Sequence, residues 1–363
     1  MERGSLPCLT VLAVIVTLGP APAVTPATVA AAASAAPAAS TAPAASAAAS
    51  HSPAPAATKT ATAPVRADDG APDLVMPAVR HRTIATYDLK STEGVAYRVL
   101  VSAPAGDPPP GGFPVMYVLD GNAWTGVAAE IARVLEYGAG PTLVVGVGYP
   151  IESLWAPRQR VFDTTMPSRV PPDEPAWKTG GADAFLTFLT GTVQPLVAAH
   201  YAIDPARQGL FGHSLMGLFV LHVLFTQPNA FSLLVAASPS IWWGGFAILP
   251  QEQAFAERPL PPGAPRVLLT VGSLEAGIEH PEQLRAALAK HPEILNGHKP
   301  EEMVALYEKL ASSYRMVDAA REMADRLATR GLDAKFIVYQ DEEHNTEAPM
   351  AITRALEMLL FRP

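Results

Sequence analysis

Gly209-Leu210-Phe211-Gly212-His213-Ser214-Leu215-Met216-Gly217-Leu218 decides how this chain is read. The segment runs from a short strand ending near Phe211, through a tight turn, into a helix from Leu215 to Thr226. A serine on such a turn stands above the sheet edge, where its hydroxyl reaches a substrate carbonyl. Strand and helix approach closely there, so small residues are needed, and Gly212 and Gly217 supply them. The helix starts at the serine and aims its positive end at the oxygen on which charge develops. The G-x-S-x-G pattern is not fully met. Met216 stands where the second glycine belongs, and Gly217 falls one position late.

Outward from this turn the chain alternates strands and helices. Thr83–Leu89 and Ala96–Ser102 alternate apolar and polar residues around a turn at Ser91-Thr92-Glu93-Gly94, the pattern of an antiparallel hairpin. Pro114–Leu119 and Leu143–Val147 are continuous apolar runs, which suit strands buried on both faces. Leu233–Ala237, Arg266–Val271 and Ala334–Tyr339 are further strands. Helical spacing covers Val127–Tyr137, Asp183–Tyr201, Ser312–Arg330 and Ala348–Phe361. The expected fold is α/β: a mostly parallel central sheet with an antiparallel N-terminal hairpin and helices on both faces, as in the α/β-hydrolase fold.

The 363 residues do not all belong to that domain. Arg3, an apolar run from Leu6 to Leu18 and a small-x-small site at Ala21-Pro22-Ala23 read as a secretory signal peptide over residues 1–23. The run is short for a membrane span. Residues 24–77 are dominated by Ala, Pro, Ser and Thr up to Arg66, and recurring proline breaks any helix, so a disordered tether is expected. The hydrolase domain is expected over 78–363, with a polar helical insertion near 280–310 that forms either a small cap or an inert surface feature. The formal net charge is -8. Only Arg3, Lys59, Arg66 and Glu2 precede Ala67, so the rest carries 23 basic and 33 acidic side chains. That balance argues against nucleic acid or an anionic membrane as partner. The single cysteine, Cys8, lies in the leader, leaving no disulfide or thiolate ligand in the mature chain. The signal-peptide pattern predicts a periplasmic or secreted protein.

Several stretches in order resemble one esterase family. Gly212-His213-Ser214-Leu215-Met216-Gly217-Leu218-Phe219 resembles its G-H-S-x-G-G-L-F elbow. Tyr117-Val118-Leu119-Asp120-Gly121-Asn122 is similar to its strand and oxyanion loop, and Val145-Gly146-Val147-Gly148-Tyr149-Pro150 to its next strand end. Gly180–Leu186 and Ala237-Ser238-Pro239-Ser240-Ile241-Trp242-Trp243 complete the likeness. The family includes enterochelin-type (ferric siderophore) esterases, S-formylglutathione hydrolases and mycolyltransferases. The resemblance implies ester hydrolysis, with the trilactone of a catecholate siderophore or a generic small ester as substrate. Acyl transfer to a sugar or envelope lipid is an alternative, as is a non-catalytic binding protein in which Met216 distorts the elbow.

A serine hydroxyl needs a base within hydrogen-bond reach. His344 follows the last strand, where this fold carries its histidine. His51 lies in the tether and His81 precedes the first strand. His200 and His222 lie in helices, and His280, His291 and His298 in the insertion. His213 abuts the serine, and its side chain is expected to point elsewhere. The acid that orients the imidazole should follow Arg266–Val271, which makes Glu275 the candidate and Glu279 its alternative. Leu215 N–H and Asn122 N–H are the candidate oxyanion donors. Trp242 and Trp243 either line a substrate pocket or fill the core. Arg160, with Arg158, either pairs with an anionic substrate or is surface charge. No metal-ligand spacing or nucleotide fingerprint is visible, so no cofactor is expected.

Overall fold

The computed structural model describes residues 84–167, 177–277, 281–290, 295 and 298–361. The leader and tether of 1–77 lie outside the described residues, as do Glu279, His280 and His291.

Eight strands build one sheet: β1 (Ile84–Lys90), β2 (Ala96–Ser102), β3 (Phe113–Leu119), β4 (Leu143–Gly148), β5 (Ile203–His213), β6 (Leu233–Ala237), β7 (Arg266–Gly272) and β8 (Ala334–Tyr339). Their order is β1-β2-β4-β3-β5-β6-β7-β8. β1 pairs antiparallel with β2, and β2 antiparallel with β4. From β4 to β8 every neighbour is parallel. This is the expected α/β-hydrolase arrangement. The apolar runs behave as anticipated: every residue of β3, β4 and β6 is buried, because helices cover both faces.

The helices are α1 (Gly121–Ala139), α2 (Pro157–Thr164), α3 (Ala182–Phe188), α4 (Gln194–His200), α5 (Leu215–Thr226), α6 (Leu249–Ala256), α7 (Pro281–Lys290), α8 (Pro300–Tyr314), α9 (Met316–Thr329) and α10 (Glu347–Leu360). In α10, Ala348, Ala351, Ile352, Ala355, Leu356 and Leu359 recur at helical spacing and are all buried. All of these but Ala348 share one core with Ala128 and Ala132 of α1, on one face of the sheet. The larger core on the other face gathers α3, α5 and α9. Among the described residues no helix is long and apolar enough to cross a membrane.

Several features differ from the sequence reading, among them α6, which it lacks, and the division of the helix expected over Asp183–Tyr201 into α3 and α4. α1 starts at Gly121, ahead of the expected Val127, so Asp120-Gly121-Asn122 opens a helix. The helix expected over Ser312–Arg330 is two, α8 and α9, broken where Arg315 takes a left-handed conformation (φ 46°). α2 has no counterpart in the sequence reading, and it carries Arg160.

Candidate active site

The parallel strands point their C-terminal ends at one edge, where ligands of open α/β sheets gather. Asp120 follows β3, Ser214 follows β5, Ser238 follows β6, and the turn bearing Glu275 follows β7. His344 lies in the loop after β8.

Ser214 has φ 62° and ψ -119°, a conformation that L-residues rarely adopt. Such strain persists only where the surroundings over-determine it. Here Ser214 N–H donates to Ala237 O at 2.9 Å, while Leu218 and Ser240 N–H donate to Ser214 O at 3.0 and 3.1 Å. A Cβ on Gly212 would sit 2.3 Å from Met216 O, and one on Gly217 2.8 Å from Ala237 O. Both glycines are therefore obligatory. Met216 itself is fully buried in the larger core, and α5 starts at Leu215 beside it. Ser214 Oγ lies 3.4 Å from Ser240 Oγ and is not hydrogen-bonded to an imidazole in this conformation.

His344 Nδ1 donates to Glu275 Oε2 at 2.7 Å. That contact fixes the tautomer, leaving a lone pair on Nε2. Glu275 is buried, and its Oε1 accepts from Gly272 N–H at 2.8 Å and lies 2.5 Å from Ser238 Oγ. His213 does not point away from this group. Its Nε2–H donates to His344 O at 2.6 Å, and the two rings lie 4.5 Å apart. Burial holds the His213 imidazole well below its ordinary value, so it stays neutral and props the loop of His344.

The two candidate oxyanion donors both belong to first turns of helices. Leu215 opens α5, and Asn122 is the second residue of α1, so neither N–H has an intrahelical acceptor. The Asn122 side chain accepts from Tyr149 N–H at 2.8 Å and donates to Tyr149 O and Ile151 O at 3.0 and 3.1 Å. It thereby ties the start of α1 to the chain beyond β4.

Arg160 takes neither part that its sequence context offers. Its side chain is 14% exposed, and Nε donates to both carboxylate oxygens of Asp120, at 3.0 and 2.8 Å. Nη2 donates to His213 O at 3.1 Å. Arg160 is thus a strut between the start of α1, which bears Asn122, and the turn bearing Ser214. Burial raises the Asp120 carboxyl above its ordinary value, and Arg160 pulls it back. Arg158 is exposed.

The tryptophans part company. Trp243 packs into the larger core. Trp242 is half-buried and stacks on Tyr314, with centroids 3.8 Å apart and planes at 12°. Tyr314 ends α8, and that helix also packs against the turn bearing Glu275, so the insertion borders the site. Trp124 was not singled out from the sequence. Its ring stands edge-on to His213 at 5.8 Å and to Trp155 at 5.9 Å. Glu347 was also missed. It is fully buried, with Oε1 2.8 Å from Ser238 Oγ and Oε2 accepting from Thr270 Oγ1 at 3.0 Å. A charged residue opening an amphipathic helix ordinarily reads as a solvated N-terminal group. Among the described residues no three metal-ligating side chains cluster.

Comparison with known proteins agrees with this architecture. The family model described as "Putative esterase" matches residues 91–340. The ferri-bacillibactin esterase BesA of Bacillus subtilis is 35% identical over 284 residues, which is 74% of this chain and 86% of that protein. The siderophore triacetylfusarinine C esterase of Aspergillus fumigatus is 33% identical, over 68% of this chain and 82% of that one. Among solved structures, the siderophore hydrolase EstA of Aspergillus nidulans superposes with a TM-score of 0.65 at 30% identity, covering 78% of this chain and 97% of that one. With a family match over most of its domain and the sheet, elbow and loops described above, this chain belongs to the Putative esterase family of carboxylic ester hydrolases.

Proposed function

We propose that the protein is an exported siderophore esterase that works through an acyl-Ser214 intermediate. The observation that carries this reading is the 2.7 Å contact of His344 Nδ1 with Glu275 Oε2, at the sheet edge where strained Ser214 also stands. The mechanism requires the Ser214 side chain to turn away from Ser240 and present its hydroxyl to His344 Nε2. Ser214 Oγ then attacks the ester carbonyl while His344 takes its proton, and Glu275 stabilises the imidazolium. Leu215 and Asn122 N–H receive the oxyanion. Collapse breaks the ester C–O bond, with the proton passing from His344 to the leaving alcohol. Water, deprotonated by His344, attacks the acyl carbon, and its proton returns to Ser214 Oγ as the acid departs.

The substrate class rests on the named activities of the relatives, siderophore esters in each case. The Trp242–Tyr314 stack offers a flat aromatic wall beside the site, which suits ligands bearing aromatic rings. Export rests on the signal-peptide pattern of residues 1–23. The test is hydrolysis of p-nitrophenyl butyrate and of ferric and iron-free trilactone siderophores by the purified protein and by Ser214→Ala. Loss of all activity in the variant is expected, and equal rates in both proteins exclude the mechanism.

A further inference from the structure

The site holds a carboxyl group that the mechanism above does not use. Ser238 Oγ lies 2.5 Å from Glu275 Oε1 and 2.8 Å from Glu347 Oε1. A hydroxyl has one hydrogen to give. With both glutamates ionised, one of these contacts would set lone pair against lone pair in a site closed to water, since Ser238 and Glu347 are fully buried. One of the two acids therefore carries a proton.

Hydrogen-bond geometry says which. Glu275 already accepts two N–H groups, Gly272 N–H on Oε1 and His344 Nδ1–H on Oε2, as a carboxylate does. Glu347 has only the Thr270 hydroxyl, on Oε2. Its other neighbours do not favour an anion. His213 Nε2 is 4.0 Å from Glu347 Oε1, and its hydrogen is spent on His344 O. Glu275 and Glu342 bring negative charge, and Tyr339 is a neutral phenol.

We propose that Glu347 is a protonated positioning residue for this esterase. Its Oε1–H donates to Ser238 Oγ, Ser238 Oγ–H donates to Glu275 Oε1, and Glu275 is thereby locked with Oε2 toward His344 Nδ1–H. The proposal rests on the serine mechanism above and adds a fourth and fifth member to its chain. Burial, and then the Glu275 charge, push the Glu347 carboxyl up to about 8, in keeping with a proton held at neutral pH. Ionisation of Glu347 leaves Ser238 between two anions and releases the lock on Glu275. Glutamine at 347 keeps a donor for Ser238 and an acceptor for Thr270, and it cannot ionise.

The experiment compares pH profiles of kcat and KM for wild type, Glu347→Gln, Glu347→Ala and Ser214→Ala, with pH-difference infrared spectra of each. Wild-type kcat should fall above about pH 8, and Glu347→Gln should keep the neutral-pH kcat without that fall. Glu347→Ala should lose on the order of 100-fold in kcat with KM little changed, as small misplacements of a catalytic group do. The wild-type infrared spectrum should show a protonated-carboxyl band that titrates away on the same pH scale and is missing from Glu347→Gln. The proposal is overturned if Glu347→Gln is as impaired as Glu347→Ala, if the alkaline fall survives in Glu347→Gln, or if the band is absent. Should Ser214→Ala prove as active as wild type, the serine mechanism fails, while the infrared band still decides where the proton sits.

Discussion

Ser214, Glu275 and His344 each follow a strand, and that makes them legible. Strand ends in a parallel sheet converge in space, so chain order proposes roles for residues 214, 275 and 344, with Glu279 left open as an alternative acid. Side-chain neighbours carry no such signal. Nothing in the sequence tells that His213 turns its ring under His344, or that Glu347 is sealed from water. Both facts depend on how the loop at 340–346 meets the end of β5 and the turn after β7, and on how α10 sets Glu347 against Ser238. The expected role of Glu275 has a sharp consequence. Glu275→Gln keeps the shape, but its amide can donate to His344 Nδ1 and so stabilise the wrong tautomer. Its kcat should fall on the order of 10³–10⁴-fold, measured on a soluble ester at neutral pH, with the folded spectrum unchanged. A loss below about tenfold would mean that the imidazole needs no acid partner.

At the scale of elements, the hairpin and α10 follow from apolar periodicity, the buried strands from continuous apolar runs, and α5 from the strand–turn–helix pattern around Ser214. The break between α8 and α9 does not. Arg315 adopts φ 46° without a Gly, Pro or Asn to announce it. α2 escapes for a different reason: Pro157-Arg158-Gln159-Arg160 reads as a polar loop. The short helix lets Arg160 reach Asp120, 40 residues earlier, and the backbone of His213, 53 residues later. Breaking a buried ion pair at one partner costs about 3–5 kcal/mol, because the remaining charge is left uncompensated. Arg160→Met should therefore lower the urea midpoint strongly and reduce kcat, since both oxyanion loops lose their common anchor. The double variant Asp120→Asn/Arg160→Met should recover much of the stability but not the rate. Equal stability losses in the single and double variants would show that the ion pair is not the source.

For the whole molecule, the buried titratable groups set the pH dependence of stability. Glu347 is raised from 4.5 to about 8 and Asp163 from 3.8 to about 6, in each case mainly by burial. A carboxyl whose folded value lies above its unfolded value binds protons more tightly when folded. Its contribution is complete below the unfolded value and fades as pH rises through the folded one. His213 acts in the opposite sense, because the fold lowers its value and stability is lost as pH falls below 6.5. The thermal midpoint should therefore decline from near neutrality toward about pH 8, and Glu347→Gln should flatten that decline. An unchanged slope in the variant would assign the decline to other groups. The global fold was legible because alternating strands and helices admit few arrangements. The order in which the chain visits the sheet has a further use. β8 is the last strand, and in chain order His344 follows it, after Ser214 beyond β5 and Glu275 beyond β7. A cut between Gly277 and Pro281 would part the nucleophile from its base while leaving β7 and β8 able to zip together. Turnover of a chromogenic ester by the two co-expressed pieces would then serve as a direct gauge of fragment reassembly.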